Sequence, residues 1–275
     1  MESCTNKFFI YEGKVLKNVD FKETMISSGK SIYEVIRVIE GVPLFLEKHL
    51  ERLTNSVKIS DLTLSLSASD IKRNILKLIE INEAFEGNIK IVFNYVNDDS
   101  RFIAYFINHS YPTNEQYKNG VTTMLFYGER NNPNAKVINF DFRNAVDREI
   151  KEKNVYEAIL IDNKGNVTEG SKSNIFMVKG NVVITAPIDA VLPGITRQSI
   201  IDVCSDLHIE VKEENVSVKE LLAMDGIFIS GTSPKVLPVN EIYDQVHFNS
   251  NNKIILSIIK SYNEKIQDYI DNHKI

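Results

Sequence analysis

Between Glu157 and Arg197 the chain reads EAILIDNKGNVTEGSKSNIFMVKGNVVITAPIDAVLPGITR, and no other block limits its possible folds as much. Apolar runs of strand length, Val155–Ile161, Asn174–Val178 and Val182–Thr185, are separated by turn sequences such as Asn163–Asn166. Pro193-Gly194 then sets a turn and opens a helix through about Leu207. Short strands in succession before a helix do not form regular βαβ units. The expected class is therefore α+β, not a doubly wound sheet.

The first half reads the same way. Phe8–Tyr11 and Val15-Leu16 flank the turn Glu12-Gly13-Lys14 as a hairpin. Ser31–Ile39 is a β-branched run that Glu40-Gly41 turns back towards Pro43-Leu44-Phe45. The period then changes, with Leu46, His49, Leu50, Leu53 and Val57 at helical spacing. A second helix over about Ser69–Asn82 presents Ile71, Ile75, Leu78 and Ile79, with Ser67 and Asp70 as its capping pair. Ile89–Tyr95 and Phe102–Ile107 are expected strands joined at 97–100. Polar Ser110–Gly120 marks the boundary, giving a domain over 1–112, a linker over 113–120 and a second domain over 121–275. In the second domain a strand over Val121–Tyr127, a loop over 128–135 and a helix near Phe142–Lys153 precede the block. A helix over Ser217–Met224, strands at Gly226–Ser230 and Val236–Val239, and a terminal helix from about Asn252 to Ile270 follow it.

Composition excludes several functions. A net charge of -5 with no basic run argues against a nucleic-acid surface. No apolar run reaches membrane-spanning length, and MESCTNKFF lacks the basic start and apolar core of a secretory signal, so a cytoplasmic protein is expected. Cys4 and Cys204 are read as free thiols, and no histidine or cysteine spacing fits a metal.

The chemistry lies in a lysine, a carboxylate and a helix start. Lys136 stands twenty-one residues before the block and leads from an Asn-rich loop into apolar Val137-Ile138. An amine acts as an imine nucleophile only when partly neutral, which desolvation promotes. Glu169 follows a hairpin turn, and Gly194-Ile195-Thr196-Arg197 offers free N–H groups and a helix dipole to a phosphate. Gly231-Thr232-Ser233 adds a hydroxyl and an amide. Each has an ordinary reading: a solvated lysine, a turn carboxylate, a plain helix start, a loop. Arg52 has one as well, a surface ion pair with Glu47 or Glu51. In this order, however, they match the needs of pyridoxal 5'-phosphate: a Schiff-base lysine, a carboxylate for the ring nitrogen and an N-terminus for the phosphate.

With these residues the chain resembles the class IV aminotransferases, the fold-type IV pyridoxal phosphate enzymes, from Phe8 to about Val239. SIYEVIRVIEGVPLFLEKHLERL is similar to the family's aromatic-Glu pair, Gly turn and His-x-x-Arg-Leu helix, with His49 and Arg52 at the His and Arg. Lys136 with Asn139, VTEGSKSNIF with Glu169, Ser173 and Asn174, VLPGITR, and SGTSPKVLPV match its later motifs. The resemblance implies a homodimer of two-domain subunits with the cofactor in the cleft between domains. It places Arg52, the amides of Ile195 and Thr196, and Thr232 on the phosphate. It also places Glu169 on the ring nitrogen, Leu192 on the ring face, and Tyr33 and Ser233 near the substrate. Lys136 would carry the cofactor and act as general base and acid.

Two departures from the family pattern follow. The aromatic partner of the ring hydroxyl is replaced by Asp141 or Phe142, and the strand ending Asn94-Tyr95-Val96-Asn97 lacks a carboxylate-gripping arginine. The substrate carboxylate is then left to Tyr33, to backbone amides near Gly231–Ser233, or to a replacement cation for which Arg37, Arg101 and Arg143 are the candidates. Three functions remain open: transfer of an amino group from a small, mostly apolar amino acid to a 2-oxo acid, an aminodeoxychorismate lyase releasing pyruvate and 4-aminobenzoate, and a non-catalytic cofactor-binding protein.

Overall fold

The computed structural model describes residues 3–97, 99–130 and 132–274. Asp98, in the turn expected at 97–100, and Asn131, in the loop 128–135, lie outside them. The chain forms two compact units. The first holds the chain up to Ser110 with Ala135–Ile138 and the residues from Ile266 on; the second holds Tyr111–Asn134 and Asn139–Lys265.

The first unit begins with β1 (Phe8–Tyr11), β2 (Lys14–Lys17), the short α1 (Thr24–Ser27), β3 (Lys30–Ile39) and β4 (Val42–Pro43). Helices α2 (Leu46–Ile59) and α3 (Ala68–Ile81) follow, then β5 (Glu86–Val96) and β6 (Asp99–Ile107). Among the described residues these strands make a six-stranded sheet in the order β2-β1-β6-β5-β3-β4. One face packs Ile32, Ile36, Ile89, Ile91 and Phe93 against Leu50, Leu53, Ile71, Ile75 and Leu78 of α2 and α3. The other carries Phe9, Ile26, Val92, Ile103 and Tyr105, with Tyr33 packed against them. A strand covered on both faces loses its apolar–polar alternation, so β5 is buried almost throughout. At α3 the expected cap forms: Ser67 Oγ accepts from the Asp70 N–H at 3.1 Å.

Ala135–Ile138 belongs to this unit because its backbone is bonded to β3. Tyr33 N–H donates to Lys136 O at 3.1 Å and Ile138 N–H to Ser31 O at 3.0 Å. The apolar pair Val137-Ile138 forms only an isolated bridge, Val137 to Ile32. The chain end joins the unit through Tyr269, whose hydroxyl donates to Glu47 at 2.7 Å.

The second unit opens with α4 (Asn114–Asn119), a helix closed by a Thr113–Gln116 capping box in the stretch expected as linker. Then come β7 (Val121–Tyr127), α5 (Phe140–Lys153), β8 (Glu157–Ile161), β9 (Val167–Gly170), β10 (Asn174–Lys179) and β11 (Val182–Thr185). Next are α6 (Ile195–Asp206), β12 (Glu210–Glu213), α7 (Val218–Leu221), β13 (Gly226–Gly231), β14 (Lys235–Ile242), β15 (Val246–His247) and α8 (Lys253–His273), which continues into the first unit. The sheet path runs β12-β11-β10-β13-β14-β7-β8-β9, and β9 also pairs β10, so six of these strands close on themselves. Ile159, Ile161, Ile175, Met177, Ile227, Ile229 and Leu237 fill one core. Met124, Val146, Ala158 and Leu160 fill a smaller one beneath α5. The mixture of separate helices with largely antiparallel strands is α+β.

Candidate active site

In the first unit the chemistry gathers around β3. Successive residues of a strand face opposite sides, so Glu34 points towards α2 and Tyr33 away from it. Glu34 is fully buried. Its Oε1 accepts from Arg52 Nε at 2.8 Å, its Oε2 accepts from Arg52 Nη2 at 2.6 Å, and Oε2 lies 2.7 Å from His49 Nδ1. Burial alone would raise the Glu34 carboxyl, but the adjacent guanidinium and imidazole outweigh it and hold the group down at about 2. Burial pushes His49 below its ordinary value, and the attraction of Glu34 does not reverse that. The surface pairing of Arg52 with Glu47 or Glu51 is thus replaced. Arg52 lies on the buried face of α2, whereas Glu47 is bonded to Lys72 and Tyr269.

Lys136 is half-buried on the segment bonded to β3, and its own N–H donates to Ser56 Oγ on α2 at 3.2 Å. Its Nζ lies 4.8 Å from the centre of the Tyr33 ring. A second amine, Lys90 Nζ, lies 4.6 Å from the same ring. Lys90 is buried on β5 opposite Val35, one diagonal step from Tyr33. Its one signal in the sequence was a lysine inside the apolar run Ile89–Phe93, where a charge has to be compensated. Arg101 is instead a surface residue 3.7 Å from Asp99, and Arg143 lies on α5 of the second unit.

In the second unit the pairing of β9, β10 and β13 sets Glu169, Asn174 and Ser230 in one row, on the same face of the sheet. The loop before α6 is bonded to that row. Leu192 N–H donates to Glu169 Oε2 at 3.0 Å, and Asn174 Nδ2 donates to Leu192 O at 3.0 Å. Gly194 is the N-cap of α6 with no capping side chain, and a Cβ there would run into Asn174 Oδ1. Ile195 and Thr196 therefore start a helix whose first amides are left to other partners. The Thr196 hydroxyl is 3.5 Å from the Tyr262 hydroxyl. Thr232 and Ser233 follow directly from Gly231 at the end of β13, one residue beyond Ser230. Ser230 Oγ and Ser199 Oγ are buried without a hydrogen-bond partner. A helix start with no capping side chain fits a phosphate.

Glu169 is also held from its other oxygen: Arg130 Nη1 donates to Oε1 at 3.0 Å. Arg130 escaped the sequence analysis because nothing local links it to a strand thirty-nine residues on. A second buried carboxylate, Glu157, fixes the turn between β9 and β10. It accepts from Ser171 N, Ser171 Oγ, Lys172 N and Ser173 Oγ at 2.6 to 3.3 Å. At the position of the missing aromatic partner, Asp141 is exposed and Phe142 packs edge-on against Phe126 at 5.9 Å. Among the described residues no group of His, Cys, Asp or Glu is arranged to hold a metal, and no helix is long and apolar enough to cross a membrane.

The family model for amino-transferase class IV matches residues 31–242. A D-alanine aminotransferase of Bacillus licheniformis is 29% identical over 252 residues, covering 86% of this chain and 88% of that protein. An aminodeoxychorismate lyase of Bacillus subtilis is 26% identical over 260 residues, 88% of this chain and 87% of the other. The crystal structure of a branched-chain amino acid aminotransferase of Escherichia coli superposes with a TM-score of 0.86. The match covers 95% of this chain and 95% of that one at 24% identity.

Proposed function

We propose, for a chain that belongs to the class IV aminotransferases, transfer of an amino group from an amino acid to a 2-oxo acid. Enzymes of this family work with pyridoxal 5'-phosphate, which supplies the electron sink that lets the substrate's Cα–H bond ionise. The observation that carries the reading is the Lys136 amine. It lies over the Tyr33 ring, half-buried, on a segment fixed by hydrogen bonds to Ser31, Tyr33 and Ser56. An amine so placed keeps its reach while the backbone beneath it stays still.

Lys136 Nζ would hold the cofactor and, when free, would serve as the base that takes the substrate's Cα proton and as the acid that gives a proton back. Glu169 would keep the ring nitrogen protonated. Arg52, the Ile195 and Thr196 amides and Thr232 hold the phosphate, the amides helped by the α6 dipole. Leu192, fixed by its backbone bonds to Glu169 and Asn174, would pack on the ring. Tyr33 and Ser233 bind the substrate, and Lys90 supplies the cation for its carboxylate. A single ammonium grips a carboxylate as a point charge, without the bidentate fork of arginine. Small monocarboxylic amino acids are therefore the expected donors. The reading includes a homodimer, which rests on the family alone.

Mixing the loaded protein with single amino acids tests it. A donor should convert bound cofactor to pyridoxamine 5'-phosphate and release one equivalent of oxo acid. The lyase is the second reading, favoured by the Bacillus subtilis relative. Turnover of aminodeoxychorismate alone, with no half-reaction from any amino acid, would establish it instead.

A further inference from the structure

The carboxylate of Glu169 is shared. Arg130 Nη1 donates to one oxygen at 3.0 Å and the Leu192 N–H donates to the other at 3.0 Å, with the Glu169 side chain 5% exposed and that of Arg130 19%. Arg130 is itself tied to its loop through Pro133 O at 3.5 Å. Glu169 is equally fixed, because β9 pairs on both sides, with β8 and β10. The guanidinium therefore meets this carboxylate by construction of the fold rather than by a surface encounter.

We propose that Arg130 is a positioning residue that acts on the cofactor's ring nitrogen through Glu169, lowering that nitrogen's proton affinity below what Glu169 alone would give. The inference rests on the reading that Glu169 faces the ring nitrogen. A carboxylate can accept about four hydrogen bonds, so two donors do not exhaust it. Its negative charge, however, is partly spent on Arg130. A protonated ring nitrogen beside Glu169 feels the attraction of the carboxylate and the repulsion of the guanidinium behind it. At the effective dielectric of a partly buried site, one unit charge several ångströms away changes a proton affinity on the order of tenfold. The Leu192 amide acts in the same direction by stabilising the anion without a proton. Arg130 thus sets how strongly the ring draws electrons from the substrate.

The sign of this effect separates it from a merely structural role. A residue that only held Glu169 in place would, when removed, loosen the carboxylate and lower the ring nitrogen's proton affinity. Removal of a competing cation raises it. The experiment loads the full-length protein with ring-¹⁵N pyridoxal 5'-phosphate and follows the nitrogen shift against pH in wild type, Arg130→Gln, Arg130→Lys and Glu169→Gln. Arg130→Gln keeps a donor for Glu169 and removes the charge, and its ring nitrogen should titrate about tenfold higher in proton affinity. Arg130→Lys, which restores the charge, should return towards wild type. Glu169→Gln should lose the proton at lower pH than any of them. An unchanged or lowered affinity in Arg130→Gln, with Glu169→Gln shifted, overturns the role of Arg130 alone. No shift in Glu169→Gln overturns the placement of Glu169 and this inference with it. If Arg130→Gln does not accumulate folded, Arg130→Met carries the same comparison, and a fall in affinity in Arg130→Met refutes the proposal.

Discussion

Replacing Glu34 by glutamine removes the negative member of a fully buried cluster and leaves Arg52, itself buried on α2, facing a neutral amide. The carboxyl titrates at about 2 in the folded protein against an ordinary value of 4.5. At about 1.4 kcal/mol per unit, the native environment favours the charged form by roughly 3 kcal/mol. Breaking a buried pair from one side typically costs about 3–5 kcal/mol, the same range. Because the folded value is depressed, the contribution is present in full above the unfolded carboxyl range. It fades as pH falls from about 4.5 towards 2. Urea unfolding of the cofactor-free protein should therefore show Glu34→Gln less stable at pH 7. With a slope near 3 kcal/mol per molar, that means a midpoint lower by roughly 1 M. The gap should narrow steadily as both proteins are taken below about pH 4.5. Equal midpoints at pH 7 would show that the cluster contributes nothing net. A gap that stayed constant down to about pH 2.5 would show that the loss came from packing rather than from the charge of Glu34.

Lys136→Ala should keep cofactor by its phosphate contacts yet lose turnover by several orders of magnitude, and borohydride reduction of wild type should label Lys136 in a peptide map; label elsewhere would remove its role. Gly194→Ala puts a methyl against Asn174 Oδ1, so the Asn174–Leu192 bond must give way. A destabilisation of about 1–3 kcal/mol and weaker cofactor retention on gel filtration are expected. Lys90→Met should raise KM for the amino acid at least about tenfold with a smaller effect on kcat, read from steady-state kinetics, if Lys90 receives the carboxylate. Burial pushes the Cys204 thiol up to about 12 and that of Cys4 up to about 11. Both stay largely protonated at about pH 8, so iodoacetamide should modify them far more slowly in the folded protein than after denaturation.

What the sequence determined by itself was local. The periodicity of Leu46–Val57 and of Ile71–Ile79, the Ser67 cap and the Pro193-Gly194 helix start are short-range signals, and α2, α3 and α6 formed where they pointed. The motif order around Lys136, Glu169 and Gly194 was also legible, because a cofactor of known needs ties residue types to spacing. Elements whose existence depends on a partner were not. β9 is four residues long and β12 is Glu210–Glu213, mostly polar, so neither carries an apolar pattern; each is a strand because β8, β10 or β11 lies beside it. Lys136 enters no strand of its own and is fixed by bonds to α2 and β3, whose residues lie far away along the chain. The partners of the charges were likewise decided by tertiary structure. A sequence reader pairs Arg52 with the glutamates next to it on the helix. The fold pairs it with Glu34 on a neighbouring strand, because burial leaves a charge no water and only a buried opposite charge can compensate it. Lys90 beside Tyr33 and Arg130 beside Glu169 arise in the same way, since strand register and loop closure bring together side chains that no spacing along the chain relates.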